Sequence, residues 1–253
     1  MTSPAEPAGP AGAGRRAELA RNLADVRARV ADACAAAGRD VAEITLIAVT
    51  KTWPAADAAA LADLGLADLG ENRDQEAAPK AAAVAGLTSA PVRWHFIGQL
   101  QTNKAPSVAG YASLVHSVDR VRLVRALDRA AQAAAASGGR GAVPLTCLVQ
   151  VSLDGDPSRG GALISQLPEI ATAIEVADNL ALGGVMAVAP LGVPPETAFS
   201  SLTAISAAAR AVNPAATIIS AGMSGDLEAA VGNGATHLRI GTALLGNRSR
   251  PVL

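Results

Sequence analysis

Ile44-Thr45-Leu46-Ile47-Ala48-Val49-Thr50-Lys51-Thr52-Trp53-Pro54 is the stretch that decides the fold. Apolar and β-branched residues run straight into a single lysine, and Pro54 then opens a helical segment. A strand with no polar face is expected to be buried on both sides and paired in parallel. A charged amine at its tip is costly unless it has a partner or a task. In an eight-fold α/β barrel the carboxyl ends of the strands build the active site. A lysine desolvated there has a lowered pKa, and its neutral amine can form a Schiff base. The plainer alternative is an amine that snorkels to solvent from the strand end.

Outward from this strand the alternation recurs. Strands are expected at Ile44–Thr50, Leu66–Leu69, Val92–Ile97, Ser113–Ser117, Leu145–Val151, Ala181–Val188, Thr217–Ser220 and His237–Leu245. Before them, Arg15 to Ala37 places Leu19, Leu23, Val26 and Val30 on one stripe, with Gly38 as C-cap. Helical patterns fill the gaps: Pro54 to Leu64, Arg73 to Ala85, Lys104 to Ala109, Arg120 to Ser137, Pro168 to Val176, Glu196 to Val212 and Asp226 to Val231. Strands alternating with helices imply βαβ units joined by right-handed crossovers. The expected fold class is therefore α/β, a single (β/α)8 TIM barrel with an extra N-terminal helix. A doubly wound open sheet is the alternative.

Composition agrees. A chain of 253 residues suits one barrel, and with aromatics at 2% its core must be built from Ala, Val, Leu and Ile. A net charge of −1 without a basic stripe argues against nucleic acid. Residues 1–14 are rich in Pro, Ala and Gly and read as a disordered tail rather than a signal peptide, leaving 15–253 as the barrel. No apolar run is long enough for a membrane helix, so a cytoplasmic protein is expected. Cys34 and Cys147 have no metal or redox spacing and read as reduced core residues. Without aromatic surface or heptads, a monomer is expected.

Polar residues gather where strands end: Lys51, Gly70-Glu71-Asn72-Arg73, His95 and Gln99, His116, Ser152 and Asp154, Ser220 to Asp226, and Arg239-Ile240-Gly241-Thr242. Gly222-Met223-Ser224-Gly225 before a short helix offers backbone N–H groups for a phosphate, in the loop position these barrels use for one. A plain turn with Asp226 as N-cap is the alternative. A Schiff-base lysine opposite a phosphate grip is what pyridoxal 5′-phosphate requires. Arg239, which can only donate, would keep the pyridine nitrogen unprotonated and weaken the ring as an electron sink; an ordinary salt-bridging arginine is the alternative. His95, His116 and His237 lack metal-ligand spacing and read as satisfied core or lining residues, so no metal is expected. The loop 154–161 reads as solvated, with a lid as the alternative.

Ala48-Val49-Thr50-Lys51-Thr52, Gly70-Glu71-Asn72-Arg73-Asp74-Gln75-Glu76, Trp94 to Lys104, Gly184-Val185-Met186-Ala187, Gly222 to Asp226 and Arg239-Ile240-Gly241-Thr242 together resemble the signature segments of the pyridoxal phosphate homeostasis protein family. The resemblance runs from about residue 15 onward. It implies a barrel similar to the N-terminal domain of alanine racemase, with the cofactor as an internal aldimine on Lys51 and Asn72 near the ring. It further implies Met223, Ser224, Gly241 and Thr242 around the phosphate, and Arg239 at the pyridine nitrogen. No catalytic residue is implied. The implied role is to bind and buffer pyridoxal phosphate and hand it to apo-enzymes that require it. Trp53 departs from the pattern, standing where many relatives carry a second basic residue.

A racemase-like enzyme is the alternative function. Racemisation needs two bases, and in alanine racemases the second is a tyrosine from a further domain. Here the only tyrosine is Tyr111, read in the loop before the fourth strand, and negligible turnover is expected. A barrel whose lysine forms a Schiff base directly with a sugar or keto acid is the cofactor-free alternative.

Overall fold

The structure, a computed structural model, describes residues 11–141, 143–156 and 160–247. Eight strands form a closed barrel in chain order: β1 (Thr45–Val49), β2 (Asp68–Glu71), β3 (Arg93–Phe96), β4 (Ala112–Val118), β5 (Leu145–Gln150), β6 (Leu180–Met186), β7 (Ile218–Ser220) and β8 (His237–Ile240). Every neighbouring pair is parallel, and β1 closes on β8 with Ile47 opposite Arg239. The helices are α1 (Ala13–Ala37), α2 (Ala55–Asp63), α3 (Asp74–Leu87), α4 (Ala105–Tyr111), α5 (Val121–Ala136), α6 (Leu167–Glu175), α7 (Pro195–Phe199), α8 (Leu202–Val212), α9 (Leu227–Gly232) and α10 (Thr242–Leu245). The closed barrel excludes the open doubly wound sheet. Cys34 and Cys147 are free and buried, as their apolar surroundings implied. Among the described residues no helix is long and apolar enough to cross a membrane.

The interior is narrow, and glycine makes room where strands crowd. A Cβ on Gly70 would stand 3.1 Å from Ile47 Cγ2. On β6, a Cβ at Gly183 would lie 2.6 Å from Thr146 Cγ2, and one at Gly184 (φ +144) only 2.0 Å from the Ile218 carbonyl oxygen. No other residue fits Gly184, and β5 slips its register against β6 at this level.

Most boundaries shift by a residue or two from the sequence reading, and four differences stand out. The last strand ends at Ile240 rather than Leu245. Thr242–Leu245 instead forms a helical turn in which the Leu244 and Leu245 N–H groups both donate to the Gly241 carbonyl. An apolar run this short reads equally as strand or helix. The partners of α10 decide: Asn22 Nδ2 donates to Leu244 O at 2.8 Å and Arg15 Nη2 to Leu245 O at 3.0 Å. The second strand starts at Asp68, because Leu66 still caps α2 through its N–H to Leu61 O, after Gly65 at φ +82. The helical pattern from Glu196 to Val212 divides into α7 and α8, where Ser200 Oγ donates back to Thr197 O at 2.8 Å. Finally, α1 begins at Ala13, two residues inside the expected tail; residues 1–10 of that tail lie outside the described residues.

The N-terminal helix covers one flank of the barrel. Among the described residues only the four-residue α10 follows β8, so the flank between β8 and β1 needs a cover. Leu19, Leu23, Val26, Val30, Ala33 and Cys34 of α1 supply it, each 8% exposed or less. Burying side chains of this size stabilises by roughly 1.5–3 kcal/mol each for the leucines and valines.

Candidate functional site

Lys51 sits in the turn that leaves β1, and its backbone is held from both sides. Lys80 Nζ on α3 donates to Thr50 O at 2.7 Å and to Glu71 Oε1 at 2.6 Å, and Thr50 Oγ1 donates to the same carboxylate oxygen at 2.7 Å. On the other side Thr52 N–H donates to Glu76 Oε2 at 2.9 Å. Thr52 has φ +64, the only described non-glycine residue with positive φ. A β-branched residue is strained there, and such strain persists only where the surroundings impose it. The Arg15 guanidinium lies 4.6 Å from the Trp53 ring centroid and closes the turn from α1.

The expectation of a desolvated Lys51 is corrected here. Lys51 is exposed, and the buried lysine among the described residues is Lys80. Glu71 ends β2 as read, and its side chain turns to Lys80 of α3 and is buried. Its Oε2 is buried and meets no partner among the described residues. Asn72, one residue further, is half-buried at the mouth. The loop after β3 crosses directly over it: a Cβ on Gly98 would stand 2.0 Å from Asn72 O, so only glycine fits.

Arg239 points into the barrel and is 5% exposed. Its Nη1 donates to Ser220 Oγ at 2.7 Å and its Nη2 to Ala187 O at 2.9 Å. The reading of an ordinary salt-bridging arginine does not hold, since no carboxylate touches it among the described residues. Burial lowers its pKa to about 10, opposed by the charge of Asp226. His116 and His95 continue inward from Ser220: His116 Nδ1 is 2.9 Å from Ser220 Oγ, and His116 Nε2 is 2.9 Å from His95 Nδ1. Both imidazoles are fully satisfied core residues. Burial, then the charges of His95, Arg239 and His237, push His116 well below the usual imidazole range.

The loops after β7 and β8 meet each other. Ala243 N–H donates to Ser224 Oγ at 3.2 Å, and Arg29 of α1 donates to Ser224 O at 3.1 Å, fixing the loop from outside. Asp226 does not act as a side-chain N-cap; its carboxylate accepts from the Met223 N–H instead. That N–H is therefore occupied, whereas those of Ser224, Gly225 and Thr242 meet no acceptor among the described residues. Gly222, at φ +91, could not carry a Cβ, which would lie 2.7 Å from Ala230 Cβ. Met223 and Thr242 are exposed, and Gly241 is half-buried beside Val49. Lys51, Asn72, Ser224, Gly241 and Thr242 thus stand at the carboxyl end of one barrel, with Arg239 beneath them.

Other sequence-flagged residues stay apart. Ser152 and Asp154 bond each other locally at 3.0 Å. Gly160 lies against the Gln99 and Gln150 side chains, and the remainder of that loop, 157–159, is outside the described residues. Tyr111 closes α4 in the outer helical layer rather than standing in a loop. The roles of Lys80, Arg29 and Ser220 were not legible. Only the strand-end parity of Ser220 offered a signal.

The family model for the alanine racemase N-terminal domain matches residues 16–249. A protein of Mycobacterium tuberculosis named pyridoxal phosphate homeostasis protein is 46% identical over 244 residues, covering 92% of this chain and 94% of that one. The structure of PipY from Synechococcus elongatus with PLP bound is 31% identical, with a TM-score of 0.75, and covers 90% of this chain and all (100%) of that one. Alanine racemase from Corynebacterium glutamicum is 14% identical at TM-score 0.65, which shows the shared fold alone.

Proposed function

Because the chain belongs to the alanine racemase N-terminal domain family, and within it to the pyridoxal phosphate homeostasis proteins, we propose that it binds pyridoxal 5′-phosphate and carries it without catalytic turnover. One observation carries the reading. Among the described residues, an exposed amine on a pinned turn (Lys51), a buried guanidinium with no carboxylate partner (Arg239) and N–H groups without acceptors at Ser224, Gly225 and Thr242 converge on one barrel mouth. These donor types suit the aldehyde, the ring nitrogen and the phosphate of the cofactor in turn. When bound, the cofactor supplies an electrophilic aldehyde and an electron-withdrawing ring.

In this reading the Lys51 amine anchors the aldehyde and Asn72 borders the ring. Ser224, Gly241 and Thr242, with Met223 alongside, enclose the phosphate. Arg239 only donates, so it leaves the ring nitrogen without a proton and the ring weak as an electron sink. Tyr111, the one tyrosine, is in the outer layer and unavailable as a second base. Carriage as a monomer to apo-enzymes, inside the cell, completes the proposal.

The test is the visible spectrum of protein mixed with pyridoxal phosphate, before and after borohydride, with mass mapping of the reduced peptide. A pyridoxyl group fixed on Lys51 is expected. Protein that stays colourless and unmodified would overturn the binding reading. Alanine racemisation with kcat above about 1 s⁻¹ would overturn the carrier reading and restore the enzyme.

A further inference from the structure

A single file of hydrogen bonds crosses the barrel interior from the mouth to the opposite end. It runs from Arg239 Nη1 to Ser220 Oγ (2.7 Å), to His116 Nδ1 (2.9 Å), and from His116 Nε2 to His95 Nδ1 (2.9 Å). It ends with His95 Nε2 at 2.9 Å from Asp68 Oδ1. Four strands contribute: β8, β7, β4 and β3, with Asp68 on β2 as the terminus. Asp68, His95, His116, Ser220 and Arg239 are each 6% exposed or less. At the lower end Arg93 grips Asp68 through Nε (2.7 Å) and Nη2 (2.5 Å). Arg93 and Asp68 line a cavity of about 430 Å³ between the amino ends of β1 to β3.

With both imidazoles neutral, the two ends of the file leave one arrangement of protons. Arginine only donates, so Ser220 Oγ must accept from Arg239. An ionised Asp68 only accepts, so His95 carries its proton on Nε2. Burial raises the Asp68 pKa, but the hydrogen bonds from His95 and Arg93 outweigh it and the net shift is downward. His95 Nδ1 then accepts, which puts the His116 proton on Nε2. His116 Nδ1 in turn accepts the hydroxyl proton of Ser220. Each site is used once, and every donor points from Arg239 toward Asp68.

We infer that Asp68, His95, His116 and Ser220 are positioning residues that set Arg239: the file turns the Ser220 hydroxyl proton away from the guanidinium and so locks Arg239 in one orientation, with Asp68 fixing the far end of the file. A serine hydroxyl without such a partner rotates to suit its neighbours and holds an arginine less firmly. Aligned hydrogen bonds also polarise one another in a low-dielectric interior. Among the described residues no acid contacts the buried Arg239, and the file links it to Asp68. The consequence for a bound ring rests on the function proposed above; the proton arrangement does not.

The test therefore has two arms. In the unloaded protein, histidine nitrogen NMR should show the single ring proton of His95 and of His116 on Nε2 in each case. A proton on Nδ1 of either residue would overturn the inference. In protein loaded with pyridoxal phosphate, Ser220→Ala and Asp68→Asn should each shift the pH midpoint of the cofactor's visible band by about half a unit or more. His237→Asn serves as the control: its ring centroid is 6.5 Å from that of His95, but it bonds Thr236 and lies off the file, so the band should not move. Midpoints in Ser220→Ala and Asp68→Asn that superimpose on the unaltered protein would sink the inference. Failure to load the cofactor at all would count against the proposed function while leaving the NMR arm decisive.

Discussion

Lys51 and Arg239 are the two cations proposed to hold opposite parts of one ligand, and their surroundings are opposites. Lys51 projects into solvent from a turn whose backbone is pinned by Lys80 and Glu76. Arg239 is sealed in the barrel, and its side chain is bonded to Ser220 and Ala187. One residue has a fixed backbone and a free side chain; in the other the side chain itself is fixed. The difference fits a carrier. The group that must bond and release the cargo needs access and freedom, whereas the group that sets the cargo's electronics must be preorganised, because preorganisation lowers the ordering cost of binding.

The strongest way to break this comparison is at its exposed end. Lys51→Ala should abolish borohydride-fixed incorporation of pyridoxal phosphate, a fall of at least about 100-fold, or roughly 2.7 kcal/mol. Since Lys51 is exposed, stability should change by no more than about 0.5 kcal/mol. Persistent labelling at another lysine would show that the anchor has been misplaced.

Next in size is the pair beneath the turn. Lys80→Met leaves Glu71 buried at 0% exposure without its cation, and removing one partner of a buried pair costs about 3–5 kcal/mol. Urea unfolding should register that loss. In the double variant Lys80→Met with Glu71→Leu, most of the stability should return, because no uncompensated charge remains. Cofactor uptake should stay impaired in both, since Thr50 O has lost the group that fixes the turn. A double variant as unstable as the single would mean that the pair is not what holds this region.

The same contrast explains what the sequence disclosed. Continuous apolar runs and intervening helical stripes made the barrel readable, because burial on both faces leaves a mark on composition. The strand-end position of Lys51 followed from topology alone. Its environment did not: whether a lysine at a strand tip is buried depends on side chains from other elements, and here Lys80, nine residues beyond Glu71, takes the buried place. The end of β8 was misread because Ala243-Leu244-Leu245 carries no period of its own and is shaped by Asn22 and Arg15 more than 200 residues away. Likewise the histidines showed no spacing, since 21 residues separate His95 from His116 and 104 separate His116 from Ser220. Only barrel closure brings them into line.

Acid sharpens the interior half of the comparison. Burial, followed by the charge of His95, lowers the His237 pKa to about 4, and His116 is also held well below its ordinary value. A base whose folded pKa is depressed gains its proton first in the unfolded chain. Its contribution to stability is thus complete above the unfolded value near 6.5 and declines as pH falls toward the folded value. Each such histidine should steepen the loss by about 1.4 kcal/mol per pH unit within that window. Asp68, with a lowered folded pKa, adds its own loss only when pH falls below the ordinary carboxylate range. Denaturant titrations at pH 7, 6 and 5 should show His237→Asn with a shallower decline by about one histidine's worth. An unchanged slope would place the acid sensitivity elsewhere.

The smallest effect tests whether the exposed end is truly held rather than merely present. Thr52 occupies φ +64, where glycine is at ease and a β-branched residue is strained by about 1 kcal/mol or more. Glycine there relieves the strain but gains freedom in the unfolded chain, so the two terms nearly cancel. Thr52→Gly should therefore alter stability by less than about 1 kcal/mol in either direction. Its N–H can still reach Glu76, so the pin survives in outline while the turn becomes easier to open. Cofactor should then exchange faster from the loaded protein with affinity changed only slightly. Thr52→Val, which keeps the strain, should leave the exchange rate as it is. If Thr52→Gly and Thr52→Val exchange alike, the positive φ is a by-product of the turn and has no part in holding the anchor.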